Sequence, residues 1–150
     1  MRSSQQGGYT LVEMIVVVVL VAIVLGVVTM SLSKSFSGAR TQAASHDMIA
    51  ALRYTRGQAI VKGKEQALEL DVQNNRYKAP GRAMVQLPKN MHLGLLTAEN
   101  ELTSETTGRI RFFPDGASTG GHITVYMGNI EWRINVDWLT GAVSREEVRR

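Results

Sequence analysis

The sequence predicts an α+β fold, one long N-terminal helix packed on antiparallel strands, and three observations predict it. Met14–Met30 carries no charge and almost no polar atom, and no proline occurs before Pro80. From Gln66 the apolar period becomes two, with Leu68, Leu70 and Val72 alternating with Ala67, Glu69 and Asp71. Gly128-Asn129 then separates two further alternating runs, a good hairpin signal. One helix followed by consecutive strands is α+β order, not the alternation of an α/β protein.

The helix is expected from about Thr10 to about Val61, with Gly63 ending it. Met14–Met30 would cover about 25 Å as a helix, and an extension to Leu32 about 28 Å. A bilayer core is about 30 Å thick. Val and Ile dominate this run, and lipid forces such a backbone to bond to itself, hence into a helix. Gly26 permits close approach of a second helix, and Gly38 permits a bend. Beyond Ser33 the residues become small and polar. Met48, Ile49, Leu52, Ala59 and Ile60 then recur at helical spacing, with Arg40, Asp47, Arg53 and Arg56 able to lie outward.

The strands follow in order. Gln66–Val72 is a half-buried strand, Gln73-Asn74-Asn75 a turn, and Arg76-Tyr77-Lys78 the return strand, broken by Pro80-Gly81. Val85 and Leu87, then Met91, Leu93 and Leu95, give two short strands around Pro88. Thr97–Gly108 is polar and reads as a loop, and the segment RIRFF at 109–113 as a strand. His122–Met127 and Glu131–Val136 form the hairpin, with Ile123, Val125 and Met127 facing Trp132, Ile134 and Val136. Asp137–Gly141 is a turn and Ala142–Ser144 a last short strand. The mixed-sign end SREEVRR is expected to be solvated.

Composition narrows function. The 150 residues leave room for one modest domain beyond the apolar segment, and the formal charge of +4 is spread without a run of about five like charges. No nucleic-acid footprint is indicated. With no cysteine there is no disulfide, thiolate metal site or cysteine nucleophile. His46, His92 and His122 lack metal-ligand spacing. No cofactor or small-molecule substrate is implied. Gly116–Gly120 (GASTG) matches a nucleophile-elbow string, but it lies between strand-like runs in a chain too short for that fold. No GK[ST] ending supports a phosphate loop either. The expectation is a non-enzyme in which Asp115 and Ser118 cap backbone groups of a glycine-rich turn.

One residue is costly where it stands. Glu13 adjoins the apolar run, and a carboxylate at the centre of a bilayer costs roughly 2.5 kcal/mol or more. A signal peptide would have a shorter apolar core followed by a cleavage site, and a plain anchor would leave Glu13 without a role. The segment Gly8-Tyr9-Thr10-Leu11-Val12-Glu13 resembles the prepilin cleavage motif of type IV pilins and type II secretion pseudopilins. Tyr9 stands where that family usually has Phe. The resemblance implies a pilin-like fold, a leader over residues 1–8, and cleavage between Gly8 and Tyr9 by a prepilin peptidase. It also implies N-methylation of Tyr9 and an assembly role for Glu13. A transmembrane and assembly helix would occupy 9–32, its amphipathic half 33–63, and a β-rich periplasmic domain 64–150. The charge of Glu13 can then pair with the freed amine of a neighbouring subunit, offsetting part of both burial penalties.

Phe113-Pro114-Asp115-Gly116, Ser118-Thr119-Gly120-Gly121, Val136-Asp137 and Thr140-Gly141 resemble the C-terminal part of the H-type minor pseudopilins of type II secretion. FimT- and FimU-type minor pilins are similar too. The expected function is therefore structural: a tip-proximal subunit of the secretion pseudopilus, anchored once in the bacterial inner membrane with its domain in the periplasm. Its expected partners are other minor and major pseudopilins, the prepilin peptidase, the inner-membrane assembly platform and lipid. The alternative is a minor type IV pilin in pilus assembly, adhesion or DNA uptake, with Arg76, Lys78, Arg82 and Lys89 as its footprint. Among the aromatics, Trp132 is expected in the core and Trp138, beside a turn, is a candidate partner contact.

Overall fold

A computed structural model describes residues 10–97 and 106–149, apart from the side chains of residues 27–37 and 149. Gly8 and Tyr9 lie outside the described residues. One helix, α1 (Leu11–Lys62), is followed by eight strands. They are β1 (Gln66–Asp71), β2 (Arg76–Lys78), β3 (Val85–Gln86), β4 (His92–Leu96), β5 (Thr107–Phe112), β6 (Gly121–Met127), β7 (Ile130–Val136) and β8 (Val143–Arg149). The chain divides into two compact units, Met1–Phe36 and Ser37–Arg150.

In the first unit, every large apolar side chain named from Leu11 to Leu25 is half exposed or more. Among the described residues no helix is long and apolar enough to cross a membrane. The span expected at 9–32 runs into side chains outside the description.

The second unit holds the rest of α1 and two antiparallel four-stranded sheets, ordered β3-β2-β1-β5 and β4-β6-β7-β8. Thr41, Ser45, Met48, Leu52, Thr55 and Ala59 of α1 are all fully buried, at steps of three and four that make one helical stripe. Against it lie Leu68, Ile110 and Phe112 of the first sheet and Ile123, Val125 and Ile134 of the second, in one core. The stripe differs from expectation in its polar members. Thr55 turns its hydroxyl back to the Ala51 carbonyl at 2.8 Å, and Ser45 bonds the Gln42 carbonyl at 2.7 Å. A hydroxyl satisfied within its own helix can be buried cheaply. Ile60, expected on the buried face, is exposed.

The helix stops where Gly63 takes φ 59. Its N–H bonds the Ile60 carbonyl at 3.3 Å and the Lys64 N–H bonds Ala59 at 3.3 Å, the paired pattern of a Schellman cap. Pro88 separates β3 from β4 and the two go to different sheets, a division the alternation alone does not reveal. Asn75 ties them, its side-chain oxygen accepting the Leu93 N–H at 2.9 Å. The hairpin pairs Ile123 with Ile134 and Val125 with Trp132, but Met127 stands opposite Ile130, and Val136 opposite Gly121, rather than within the expected facing set.

Two expectations are corrected. The end read as solvated is β8, paired with β7 along its whole length. Its polar side chains suit an exposed edge strand. Glu146 lies 3.7 Å from Arg133 and accepts from the Asn135 amide at 3.3 Å. Trp132 is half-buried rather than wholly in the core, and Arg145 of β8 stacks over its ring at 4.1 Å. That guanidinium also donates to the Ser45 hydroxyl at 3.0 Å, joining β8 to α1.

Candidate assembly surface

Two places on the chain carry the residues singled out in the sequence, one in each compact unit. In the first, Thr10 is the N-cap of α1, and its hydroxyl accepts the Glu13 N–H at 3.2 Å. Thr10-Leu11-Val12-Glu13 is the order of a capping box, a signal legible in the sequence and missed there. Glu13 is thus the third helical residue, in the turn where the helix dipole favours a negative charge by about 0.3–1 kcal/mol. Cap and dipole give the carboxylate a local reason to stand at this point.

In the second unit, three segments distant in sequence converge: the Asp115-Gly116 turn, the Asp137–Gly141 turn and the last turns of α1. Asp137 organises its own turn. One carboxylate oxygen accepts the Thr140 N–H at 2.8 Å, the Thr140 hydroxyl at 2.8 Å and the Leu139 N–H at 3.1 Å. These bonds, the Thr140 N–H foremost, hold its carboxyl below the usual carboxylate range. Ser118, almost wholly buried, clamps the two turns together. Its N–H bonds the Trp138 carbonyl at 2.8 Å, its hydroxyl donates to the Asp137 carbonyl at 2.9 Å, and the same oxygen accepts the Gly120 N–H at 3.0 Å. Asp115 caps the Ala117 N–H at 3.0 Å, as expected.

Arg56, expected to point outward, instead reaches across from α1 and donates through Nε to the Gly116 carbonyl at 2.9 Å. Gly141, at φ 62, lies so close that a Cβ there would collide with the Gly116 carbonyl oxygen and stand 2.8 Å from Arg56 Nε. Only glycine fits that backbone and that approach. No local signal marks Arg56, because its partner lies 60 residues away.

The result of this bracing is an exposed tip. Trp138 is 66% exposed and Leu139 62% exposed. Leu139 was not singled out in the sequence, although it adjoins Trp138. The bracing also answers the nucleophile-elbow string. Ser118 sits in a single bridge to Phe112 between β5 and β6, not between a strand and a helix, and both roles of its hydroxyl are spent on backbone. His46 and His92 are exposed, His92 tilted on Tyr126 at 5.3 Å between ring centres. Among the described residues no cluster of His, Asp and Glu could hold a metal. The basic residues considered as a footprint are partly engaged: Arg76 bonds Asp71 at 2.8 Å, and Arg82 lies 4.0 Å over the Tyr54 ring.

A capped helix, apolar through its first half and packed through its second on two antiparallel sheets, defines a pilin-like protein. The chain belongs to the family described as Type II transport protein GspH, whose profile matches residues 44–141, a range that includes Arg56 and both turns. A second profile, the prokaryotic N-terminal methylation motif, matches residues 3–29. The chain is 36% identical over 145 residues to the type II secretion system protein H of Xanthomonas campestris pv. campestris, covering 97% of this chain and 86% of that one. In fold it is similar to the minor pseudopilin EpsH from the type 2 secretion system of Vibrio cholerae. The TM-score is 0.58 at 12% identity, over 72% of this chain and 97% of that one. A second structure of EpsH gives 0.58 at 12% identity, over 73% and 97%.

Proposed function

We propose that this chain, a minor pseudopilin of type II secretion, is made with a leader, cut between Gly8 and Tyr9, methylated at Tyr9, and built into the pseudopilus through α1. The observation that carries the reading is the run of apolar side chains from Leu11 to Leu25, exposed on all sides of a helix that opens with a Thr10–Glu13 cap. A contiguous apolar surface of this kind is not left facing water. Lipid covers it before assembly and neighbouring helices cover it afterwards. The methylation motif at residues 3–29 supports processing at this end and a membrane-anchored precursor.

The precursor spans the inner membrane once, through residues 9–32, with the β-rich domain in the periplasm. Its partners are the prepilin peptidase, the assembly platform, and the other minor and major pseudopilins. The subunit sits near the filament tip, and Trp138 is its contact with another subunit. Its role is structural, as that of its family is. Family membership favours secretion over a type IV pilus, and within the DNA footprint Arg76 is paired with Asp71.

Intact mass of the chain purified from a host with active processing tests the first step. A chain starting at methylated Tyr9 is expected, and one that keeps its first eight residues refutes the reading. Glu13 needs two variants, because its cap gives it a local role. Glu13→Gln keeps a polar side chain at the third helical position but removes the charge. If the charge pairs with a neighbour's amine, Glu13→Gln is cleaved normally yet enters filaments about as poorly as Glu13→Ala. Normal incorporation of Glu13→Gln refutes the pairing and leaves only the cap.

A further inference from the structure

The first sheet ends at β3, and beyond β3 lies a groove rather than another strand. Two hollows of about 310 Å³ each lie between α1 and the chain around β3. Asp47, Tyr77 and Val85 wall both, so they form one groove. Leu87 and Pro88 share one hollow with Arg40 and Ala43, and Arg82 and Ala83 share the other with Ala50 and Tyr54. The chain around β3 therefore runs antiparallel to α1. From Arg40 to Tyr54 the groove follows about 21 Å of helix at about 1.5 Å per residue. That is the length of about six residues of strand at about 3.3 Å each.

Both walls lack the same thing. The Leu87 N–H bonds the Asn75 carbonyl at 2.9 Å, and Val85 stands opposite Tyr77. In the alternation of an antiparallel ladder, residues 85 and 87 thus turn their backbone groups to β2. Met84 and Gln86 turn theirs the other way, where the sheet has no further strand. On the helix wall, Ala43 and Ala50 are exposed and Ala44 and Ala51 are half-buried, a stripe of small side chains beside the buried face of α1. Met84 is 49% exposed and Val85 44% exposed. Edge strands are ordinarily guarded by charge. The edge strand β8 carries Arg145, Glu146 and Glu147, whereas residues 83–87 carry no charge.

We propose that this groove takes an extended segment of a different filament subunit, added to the first sheet as a fifth strand outside β3. The proposal rests on the reading of the chain as a filament subunit. The backbone of the added strand bonds Met84 and Gln86, and its inward side chains, small and apolar, lie on the alanine stripe. In strand addition the main-chain bonds supply affinity and the hollows select alternate side chains. A helix in the groove would leave the outward groups of Met84 and Gln86 unmatched, because its own backbone bonds internally. Asp47 lies between Arg40 and Arg82, so neither sign of charge is favoured and recognition rests on backbone and shape. The edges of a second copy fit poorly: β8 is charged along its length, and β3, at two residues, is too short to fill the groove.

Hydrogen exchange reads the backbone directly. The full chain is purified in detergent alone, and in complex after co-expression with the other minor pseudopilins of its secretion system. The Val85 and Leu87 amides, turned to β2, should exchange slowly in both samples. Met84 and Gln86 should exchange fast in the isolated chain and about tenfold or more slower in the complex. Gly128 and Asn129, in the turn between β6 and β7, should not change. Met84→Ala keeps the N–H and should join the complex like the parent. Met84→Pro removes only an outward N–H, which an edge tolerates. It should lower recovery of the complex about tenfold while thermal unfolding stays near that of the parent. Three results overturn the proposal: equally fast exchange of Met84 and Gln86 in the complex, equal recovery of Met84→Pro and Met84→Ala, or slow exchange of both amides in the isolated chain. The last would assign the groove to this chain itself or to a second copy. A chain that enters no complex fails the filament reading, and one in a complex whose Met84 and Gln86 stay fast fails the strand addition only.

Discussion

Arg56→Ala tests whether one side chain holds the tip in place. The guanidinium Nε donates to the Gly116 carbonyl at 2.9 Å from a half-buried position. A hydrogen bond to a charged group contributes roughly 1.5–3 kcal/mol. Truncation also exposes part of an aliphatic stem, at about 0.8 kcal/mol per buried methylene. A loss of about 2–4 kcal/mol follows, and for a domain of this size about 4 °C per kcal/mol gives a fall in Tm of roughly 8–16 °C. Circular dichroism of the full chain in detergent measures it. Because the Asp137–Gly141 turn would lose its brace to the helix, the emission of Trp138 should also become more quenchable by iodide below the transition. Arg56→Lys keeps the charge but not the fork, and should recover less than half of the loss. A Tm within 2 °C of the parent, with unchanged quenching, would show that the turns hold themselves and that Arg56 is incidental.

Other substitutions probe the same frame. Gly141→Ala must take a left-handed backbone, at about 1–2 kcal/mol, and its methyl collides with the Gly116 carbonyl, so urea unfolding should show a loss larger than the backbone cost alone. Leu52→Ala, at the centre of the core, should cost about 2–5 kcal/mol in the same measurement. Ser118→Ala strands the Gly120 N–H, while the Asp137 carbonyl keeps the Gly141 N–H, and should cost about 1–3 kcal/mol, yet secretion should persist wherever the domain stays folded, since the hydroxyl does no chemistry. Acid should act through two carboxyls. Asp71, held below the usual range first by the Asn74 side chain, and Asp137, held there first by the Thr140 N–H, both bind protons less readily folded than unfolded. Their contribution is complete at neutral pH and lost as pH falls through the carboxylate range, so Asp137→Asn should flatten the acid limb of a Tm–pH profile.

Much of this architecture was legible because it rests on local patterns. The strand alternation of Leu68 and Leu70, the Gly128-Asn129 turn and the stop at Gly63 each act over a few residues, and the structure places them where the period predicts. What the sequence hid was long-range or polar. β8 shows no apolar alternation, because its charges answer those of β7 and its edge meets water. Glu131 reads as an outward polar position but is buried, with Arg133 3.8 Å away. Arg56 reads as one more surface cation until the chain returns to it 60 residues later. The Thr10–Glu13 cap is local and legible in its Thr-x-x-Glu order, although the same acid also reads as a cost beside the apolar run.

The distribution of hydrogen bonds bears on what the tip is for. A surface turn ordinarily needs one or two local bonds, and a turn free to move can fold its apolar side chains back against the protein. Here Asp137, Thr140, Ser118 and Arg56 together fix the turn from three directions, and the side chains so fixed are an indole and an isobutyl group held in solvent. Stability alone would favour turning Trp138 inward, where burying a large side chain gains about 1.5–3 kcal/mol. The backbone instead places the Trp138 carbonyl on Ser118 and its Cβ against Gly120, where an added methyl would stand 3.0 Å away. Rigid presentation of an apolar group removes ordering entropy before a partner arrives. The bracing therefore contributes to the fold and, on the assembly role proposed for Trp138, also orders the tip before a partner arrives.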